Sequence, residues 1–225
     1  MFPRLVRKID SQKQVAEKKF LVKSLRLEVD RNRCVNCGIC YYSCPNDVIR
    51  QVSPFHTTAI ALDPDNCSYC GVCQYMCPFD AIQLYIDDEA VPSEKLLLVE
   101  KKALPPLDYE EVNCENKGNI KAKSYFDGHL VYHEKICLTG CRTCVVNCPT
   151  KAIYFRKGRS WEREEMMQLE PKKCIYCGAC AFTCPVNAIE VERTDLKHGE
   201  PFNEPLWPNI KVKILEMKLP EKNEV

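Results

Sequence analysis

One cysteine pattern, repeated four times, constrains this chain more than any other feature. Three cysteines and a fourth followed by proline recur at nearly constant spacing, and these runs hold sixteen of the seventeen cysteines in 225 residues. Such an internal repeat sets the organisation of a chain before any single helix or strand does. The runs are Cys34, Cys37, Cys40, Cys44-Pro45; Cys67, Cys70, Cys73, Cys77-Pro78; Cys137, Cys141, Cys144, Cys148-Pro149; and Cys174, Cys177, Cys180, Cys184-Pro185.

This spacing is typical of bacterial-type 4Fe-4S sites, in which three cysteines of one run bind one cluster and the fourth binds the neighbouring cluster. Two-residue gaps let the loop curl around one cube, and the crossed fourth ligand brings two clusters together. The sequence therefore predicts four 4Fe-4S clusters. Their expected ligands are Cys34, Cys37, Cys40 and Cys77 for cluster 1; Cys67, Cys70, Cys73 and Cys44 for cluster 2; Cys137, Cys141, Cys144 and Cys184 for cluster 3; and Cys174, Cys177, Cys180 and Cys148 for cluster 4.

Zinc and disulfides are the two other chemistries that use many cysteines. Structural zinc sites take four ligands, usually as cysteine pairs separated by longer insertions. Disulfides need bridging geometry that cysteines in a tight loop rarely reach, and an oxidising compartment. Residues 1–8 are basic but lead into no apolar signal segment, so we expect a cytoplasmic location. Both alternatives fit the repeated Cys-Pro runs less well than clusters do.

The runs group in pairs, which predicts two units. A long stretch separates Cys77 from Cys137, whereas the runs within each pair are close. Residues 24–29 and 83–86 alternate in the manner of short strands. Each Cys-Pro is expected to begin a short helix, since proline suits the first helical position. The expected fold class is α+β, with tandem bicluster ferredoxin-like units at 24–90 and 129–192.

Three segments lie outside these units. Residues 1–23 carry an excess of lysine and arginine and are expected to form a basic arm, either solvated or helical, or docking to an acidic partner. Residues 91–128 contain several prolines and an acidic patch, which favours a linker or a partner contact over a core element. Residues 193–225 are expected to be a docking tail: an exposed Trp207 beside alternating aliphatic residues could add a strand to another subunit or fold back on its own chain.

Glycine follows the second cysteine in three of the runs, as Gly38, Gly71 and Gly178. We expect these glycines to help bind the clusters, because a missing side chain lets backbone N–H groups approach the cluster sulfurs. The third run departs from this pattern. It has one extra residue, within the segment from Leu138 to Gly140, and Arg142 takes the glycine's place. A cation there would favour the reduced state, so we hypothesise that cluster 3 has the highest potential.

Cys114 belongs to no run. It is interpreted as a buried or idle thiol, with a ligand role as the alternative. The formal net charge of +1 is spread along the chain, so no basic face for nucleic acid is expected. No apolar run approaches the roughly 20 residues of a membrane span. No glycine-rich nucleotide loop or nucleophile–base pair is found either, so no catalytic residue is proposed.

The cluster-binding runs within residues 24–192 resemble those of archaeal polyferredoxins. Within that family, residues 67–88 and 174–180 look most like the polyferredoxin subunit of formylmethanofuran dehydrogenase. The resemblance implies anaerobic, methanogenesis-type metabolism and a subunit that carries electrons without catalysing bond chemistry. The family's chains commonly hold more repeats than four, so related complexes are not excluded.

Two functional classes follow. The first is an electron-transfer subunit of a larger anaerobic oxidoreductase complex, whose other protein subunits act as electron donor and acceptor. The second is a free ferredoxin-type carrier. Within the first class, the iron–sulfur subunit of a hydrogenase or of another anaerobic oxidoreductase is the alternative to formylmethanofuran dehydrogenase. The long segments outside the units favour the first, because a free carrier needs little beyond the units themselves.

Overall fold

The computed structural model describes residues 3–52, 59–155, 167–200 and 205–216. Short helices and small antiparallel sheets alternate along the chain, which confirms the α+β class. The strands are β1 (Arg4–Ile9), β2 (Lys13–Lys19), β3 (Ser24–Asp30), β4 (Ile49–Gln51), β5 (Ile60–Leu62), β6 (Ile82–Ile86), β7 (Glu89–Ala90), β8 (Glu110–Cys114), β9 (Ile120–Ser124), β10 (Phe126–Tyr132), β11 (Ile153–Phe155), β12 (Met167–Leu169) and β13 (Ile189–Leu196). The α-helices are α1 (Ile39–Tyr42), α2 (Val72–Tyr75), α3 (Leu97–Glu100), α4 (Thr143–Asn147), α5 (Ala179–Thr183) and α6 (Leu206–Leu215).

Each unit is built on one pair of antiparallel strands. In the first unit β3 pairs with β6, where the alternating pattern predicts strands, and Leu27 lies opposite Leu84 with both side chains buried. In the second unit β10 pairs with β13. Between the cysteine runs of each unit lies a smaller pair, β4 with β5 and β11 with β12. The two units therefore repeat one plan.

The N-terminal segment is a hairpin, so the expectation of a solvated or helical arm is wrong. β1 and β2 pair antiparallel, and β2 pairs with β3, which gives a five-stranded sheet in the order β1-β2-β3-β6-β7. The carboxylate of Asp10 accepts hydrogen bonds from the backbone N–H groups of Gln12 and Lys13, both at 2.7 Å, and closes the turn. The buried Gln14 donates to the carbonyl of Ile60 at 2.7 Å. Alternation along β2 thus turns one face inward although the segment is basic.

The helices end before the fourth cysteine of each run, so the expectation of a helix beginning at Cys-Pro is wrong. After each Cys-Pro the chain makes a turn, and the second residue beyond the proline has positive φ. This left-handed conformation is incompatible with continuing a right-handed helix. The residues concerned are Asp47, Asp80, Lys151 and Asn187, with φ of 53°, 46°, 54° and 54°.

Residues 91–128 are packed against the first unit, so the linker expectation is wrong. Tyr125 is fully buried, and its hydroxyl donates to the carbonyl of Met76. The backbone N–H of Lys123 donates to the carbonyl of Pro78 at 2.8 Å. Leu104 is also buried. The prolines of this segment shape a covering layer that carries β8 and β9 and leads directly into β10 of the second unit.

The described part of the C-terminal segment contains a helix that packs on its own chain, so the expected exposed Trp207 and added strand are wrong. One face of α6 buries Trp207, Ile210 and Ile214 in the main core. The helix lies against α1 of the first unit and β13 of the second. Spacing of three and four residues places these side chains on one helix face. Residues 201–204 and 217–225 of the expected tail lie outside the described residues.

Ion pairs connect α6 to both units. Lys213 pairs with Asp47 of the first unit at 2.8 Å, and Lys211 pairs with Asp195 of the second at 2.8 Å. The helix therefore holds the two units together. Among the described helices, none has the length and apolar character needed to cross a bilayer.

Candidate functional site

Two cavities in the first unit are each lined by four cysteines. Residues from both runs meet at the first cavity. Apolar side chains, including Ile39, Ile60 and Phe79, complete its wall. The cysteines that line it are Cys34, Cys37, Cys40 and Cys77, and we call this set site 1.

The second cavity has the reciprocal composition. Leu27, Val48 and Ile49 contribute to its apolar wall. Three cysteines come from the second run and one from the first. They are Cys67, Cys70, Cys73 and Cys44, called site 2. In both cavities the fourth cysteine of one run lies with the first three of the other, as the crossed ligation expects.

The second unit places its cysteines in the same reciprocal way. Burial raises the pKa of Cys144 to about 11, and the thiol of Cys184 from the fourth run adds to the rise. Burial likewise raises the pKa of Cys180, with contributions from Cys177, Cys174 and then Cys148 of the third run. We call the sets site 3 and site 4. Site 3 comprises Cys137, Cys141, Cys144 and Cys184, and site 4 comprises Cys174, Cys177, Cys180 and Cys148.

Left-handed residues give three of the runs their tight curl. Gly38, Gly71 and Gly178 have φ of 80°, 82° and 88° and directly precede α1, α2 and α5. Residues other than glycine rarely adopt this backbone conformation. The turn aims the next N–H at a thiol: the backbone N–H groups of Ile39 and Ala179 each oppose the pKa rise that burial causes at Cys37 and Cys177. This arrangement supports the proposed role of these glycines in cluster binding.

The thiols are suited to a group that brings its own positive charge. Most lie in apolar surroundings, and burial holds the pKa of Cys37, Cys40 and Cys73 well above the usual range. Four thiolates in one such cavity would repel each other unless iron compensated their charge. Four sets of four cysteines in such surroundings suit four 4Fe-4S clusters.

Backbone N–H groups donate hydrogen bonds to the fourth cysteine of three of the runs. The N–H groups of Ala81, Ala152 and Ala188 donate to the sulfur atoms of Cys77, Cys148 and Cys184 at 3.3, 3.3 and 3.1 Å. Each donor lies four residues after its cysteine, across the turn that follows Cys-Pro. This turn, rather than a helix start, holds the fourth cysteine, and donors of this kind tune the sulfur ligands of clusters.

The third run is built differently from the other three. Gly140, with φ of 79°, precedes the second cysteine, while Arg142 after it has φ of −123°. Apart from its chain neighbours, no atom of the described residues lies within 4 Å of where a Cβ on Gly140 would stand. Leu138 and Val146 are 49% and 70% exposed. The inserted residue thus opens this run to solvent, and the side chain of Arg142 lies over the ring of Phe155 with 5.1 Å from Cζ to the centroid.

Cys114 ends β8 and is fully buried. Burial raises its pKa to about 11, and the thiol of Cys148 adds to this. The side-chain amide of Asn116 donates to the carbonyl of Cys148 at 2.8 Å. This position matches the interpretation of Cys114 as a buried thiol. Residues 91–128 also cover Cys148, the cysteine that the third run contributes to site 4.

Within each unit the two sites are adjacent. In the first unit, burial is the main cause of the raised pKa of Cys40, and Cys73 of site 2 contributes to it. In the second unit Cys144 of site 3 contributes similarly at Cys180, again after burial. Site 2 therefore adjoins site 1, and site 3 adjoins site 4.

The two units meet at sites 1 and 4. Burial raises the pKa of Cys37, and the next largest contribution comes from the thiol of Cys177 in the other unit. Both residues belong to one continuous hydrophobic core. The four sites therefore follow one another in the order 2, 1, 4, 3.

Sequence reasoning missed Arg193, a buried residue of β13 at this junction. It is 6% exposed, and its guanidinium donates to the carbonyl of Cys177 at 2.7 Å. Alternation along β13 was the available signal, since Ile189 and Val191 share its inward face. A strand facing a core at every second residue would turn this arginine inward as well.

Comparison with known proteins follows the same division. A family model described as a 4Fe-4S dicluster domain matches residues 33–81 and 136–188. A ferredoxin of Methanocaldococcus jannaschii is 35% identical over 52 residues, which are 23% of this chain and 74% of that protein. The ferredoxin-type protein NapF of Haemophilus influenzae is 41% identical over 68 residues, 28% of this chain and 36% of that protein.

A polyferredoxin-like protein of M. jannaschii is 32% identical over 62 residues, 25% of this chain and 36% of that protein. The chain thus spans about a third of the length of these last two relatives. Among solved structures, a chain in the formate dehydrogenase, heterodisulfide reductase and formylmethanofuran dehydrogenase complex of Methanospirillum hungatei has the same fold. The TM-score is 0.81 at 23% identity, over 100% of this chain and 96% of that chain.

Proposed function

The chain belongs to the 4Fe-4S dicluster ferredoxins, and we propose that it is an electron-relay subunit of a larger anaerobic oxidoreductase complex. The order of the four cysteine sites across both units is the observation that carries this proposal. When bound, 4Fe-4S clusters accept and release single electrons. Because electron transfer slows steeply with distance, adjacent sites in an unbroken series suit a relay between two partners.

The residues of the chain contribute binding, spacing and exclusion of water. The sixteen run cysteines are the proposed ligands, and apolar walls such as Ile39 and Phe79 keep solvent from the buried sites. α6 fixes the second unit against the first through Trp207 and its two lysine ion pairs. We propose no catalytic residue, so bond chemistry falls to partner subunits.

Formylmethanofuran dehydrogenase is our proposed partner enzyme. Two observations support it: the fold extends over nearly the whole of a chain from a complex that contains this enzyme, and the second and fourth runs resemble its polyferredoxin. We place the complex in the cytoplasm, whose reducing conditions keep thiols available for cluster assembly.

Anaerobic purification of the native protein tests this proposal. A relay subunit is expected to co-elute with large partners that include a formylmethanofuran dehydrogenase activity, and to pass electrons between them. Elution of all the protein as a stable monomer would contradict a subunit role.

A free ferredoxin-type carrier is the second candidate. The small ferredoxin of M. jannaschii, of which the matched region forms 74%, favours it. The packed segment 91–128 and helix α6 favour the subunit instead, because a free carrier needs little beyond the two cluster-binding units. Single-electron exchange with many soluble enzymes at similar rates would support the carrier.

A further inference from the structure

We infer that Arg193 places a fixed positive charge between the two units, and that this charge eases reduction of both clusters at the junction, clusters 1 and 4. This inference rests on the proposed relay function. It concerns a residue of β13 outside all four cysteine runs.

The position of Arg193 is set by the backbone and by its contacts. Its guanidinium donates to the carbonyl of Cys177 in site 4 and lies over the ring of Phe126, 5.0 Å from Cζ to the centroid. In the strand pairing it lies opposite Gly128, next to a β-bulge. A Cβ at Gly128 would lie 2.2 Å from the carbonyl oxygen of Glu192, so only glycine fits there. Bulges of this kind redirect a neighbouring side chain.

The groups around the guanidinium belong to both units. Burial lowers the pKa of Arg193, whereas the thiols of Cys177 and Cys37 act most strongly in the opposite direction, followed by Tyr125 and Tyr42. An arginine remains charged in proteins even when buried. The charge therefore faces the cysteines of site 4 and site 1 together.

Burial makes this charge effective. Charges interact much more strongly in a protein interior than across water, and salt screens a buried charge less than an exposed one. A reduced cluster carries one more negative charge than an oxidised cluster. A cation that neighbours both positions therefore favours an electron there, and it adds no bond, proton or further reactant. An electron on either junction cluster is therefore held more stably than it would be beside a neutral side chain.

The matched variants Arg193→Gln and Arg193→Lys test the inference in the full chain, purified anaerobically. Both keep an N–H donor for the carbonyl of Cys177, but only lysine keeps the charge. Iron content is measured first, and reduction potentials are then followed by electron paramagnetic resonance. Arg26→Gln is the control, because Arg26 lies on β3, paired with Glu28 and Asp88.

With full iron content, Arg193→Gln is expected to lower the potentials of two clusters and leave the other two unchanged. Arg193→Lys should stay closer to the original protein, and Arg26→Gln should shift none. Loss of iron in Arg193→Gln but not in Arg193→Lys would also support the inference, because the positive charge would then be needed to offset the negative charge of the thiolates. Unchanged potentials, equal shifts in both variants, or iron loss in both would overturn the inference. A low iron content in the unaltered protein would instead count against the proposed function.

Discussion

The junction between the units and the outer end of the second unit use the same cysteine chemistry in opposite surroundings. At the junction, Cys37 and Cys177 are 8% and 7% exposed and lie beside the buried Arg193. At the outer end, Leu138, Gly140 and Arg142 of the third run are exposed. Burial, more than cysteine spacing, therefore determines how strongly neighbouring charges and packed side chains affect a cysteine site. The junction suits transfer within the chain, and the outer end suits exchange with a partner.

Replacing one proposed cluster ligand at the junction and one at the outer end should give the largest difference between the two regions. Cys37→Ser is expected to remove cluster 1, about a quarter of the iron, and to destabilise both units, because its thiol lies in the shared core. Cys141→Ser removes a less buried ligand and should cost at most the same iron with a much smaller loss of stability. Iron analysis and anaerobic thermal denaturation measure both effects. Equal losses of stability in the two variants would show that burial does not distinguish the junction from the outer end.

Trp207→Ala tests how strongly α6 holds the junction. Trp207 is 2% exposed, and removing a buried aromatic side chain typically costs about 3–5 kcal/mol. Val212→Ala on the same helix is the control, since Val212 is 50% exposed and should cost less than about 1 kcal/mol. Chemical denaturation of the anaerobic protein gives both values. Similar costs for the two variants would mean that α6 is not part of the junction.

Gly71 and Gly140 have nearly the same φ, 82° and 79°, but lie in a buried run and an open run. At Gly71 a Cβ would lie 2.4 Å from Cδ2 of Leu96, whereas Gly140 has open space. Left-handed strain alone costs about 1–2 kcal/mol, and overpacking adds about 1–3 kcal/mol. Gly71→Ala should therefore be the more destabilising variant in a denaturation experiment. A larger cost for Gly140→Ala would show that the third run is not open.

Arg142 provides the smallest expected effect. The hypothesis that it gives cluster 3 the highest potential stays a prediction, and its exposure implies that salt screens its charge. Arg142→Gly should lower the potential of cluster 3 by less than Arg193→Gln lowers those of clusters 1 and 4, and high salt should abolish the shift. Redox titration at two salt concentrations measures this. No shift at low salt would refute the hypothesis.

Much of the fold and the sites could be predicted because cluster spacing is a local property of the sequence. The strands at β3 and β6 and the grouping of the runs followed directly from alternation and repeat spacing. The prediction of a helix beginning at each Cys-Pro was wrong because proline is also compatible with several types of turn. The left-handed residue two positions beyond the proline selects the turn over the helix. Composition cannot report such a backbone angle.

The outer segments were misread because their burial depends on long-range packing. The basic composition of residues 1–23 favoured an arm, although β2 has an inward face. The prolines of residues 91–128 favoured a linker, although the segment around Tyr125 is packed. Trp207 and Arg193 are buried near the place where the two units meet, and this meeting leaves no local sequence pattern beyond the alternation of β13. Sequence reasoning therefore predicts how the cysteines group but not the order in which the four sets follow one another.

Iron and acid-labile sulfide, measured per chain in anaerobically purified protein, test the central claim of four clusters most directly. Four 4Fe-4S clusters predict about sixteen iron and about sixteen sulfide per chain. A complete chain with about eight of each would contradict the account, because only half of the proposed series of sites would then hold clusters.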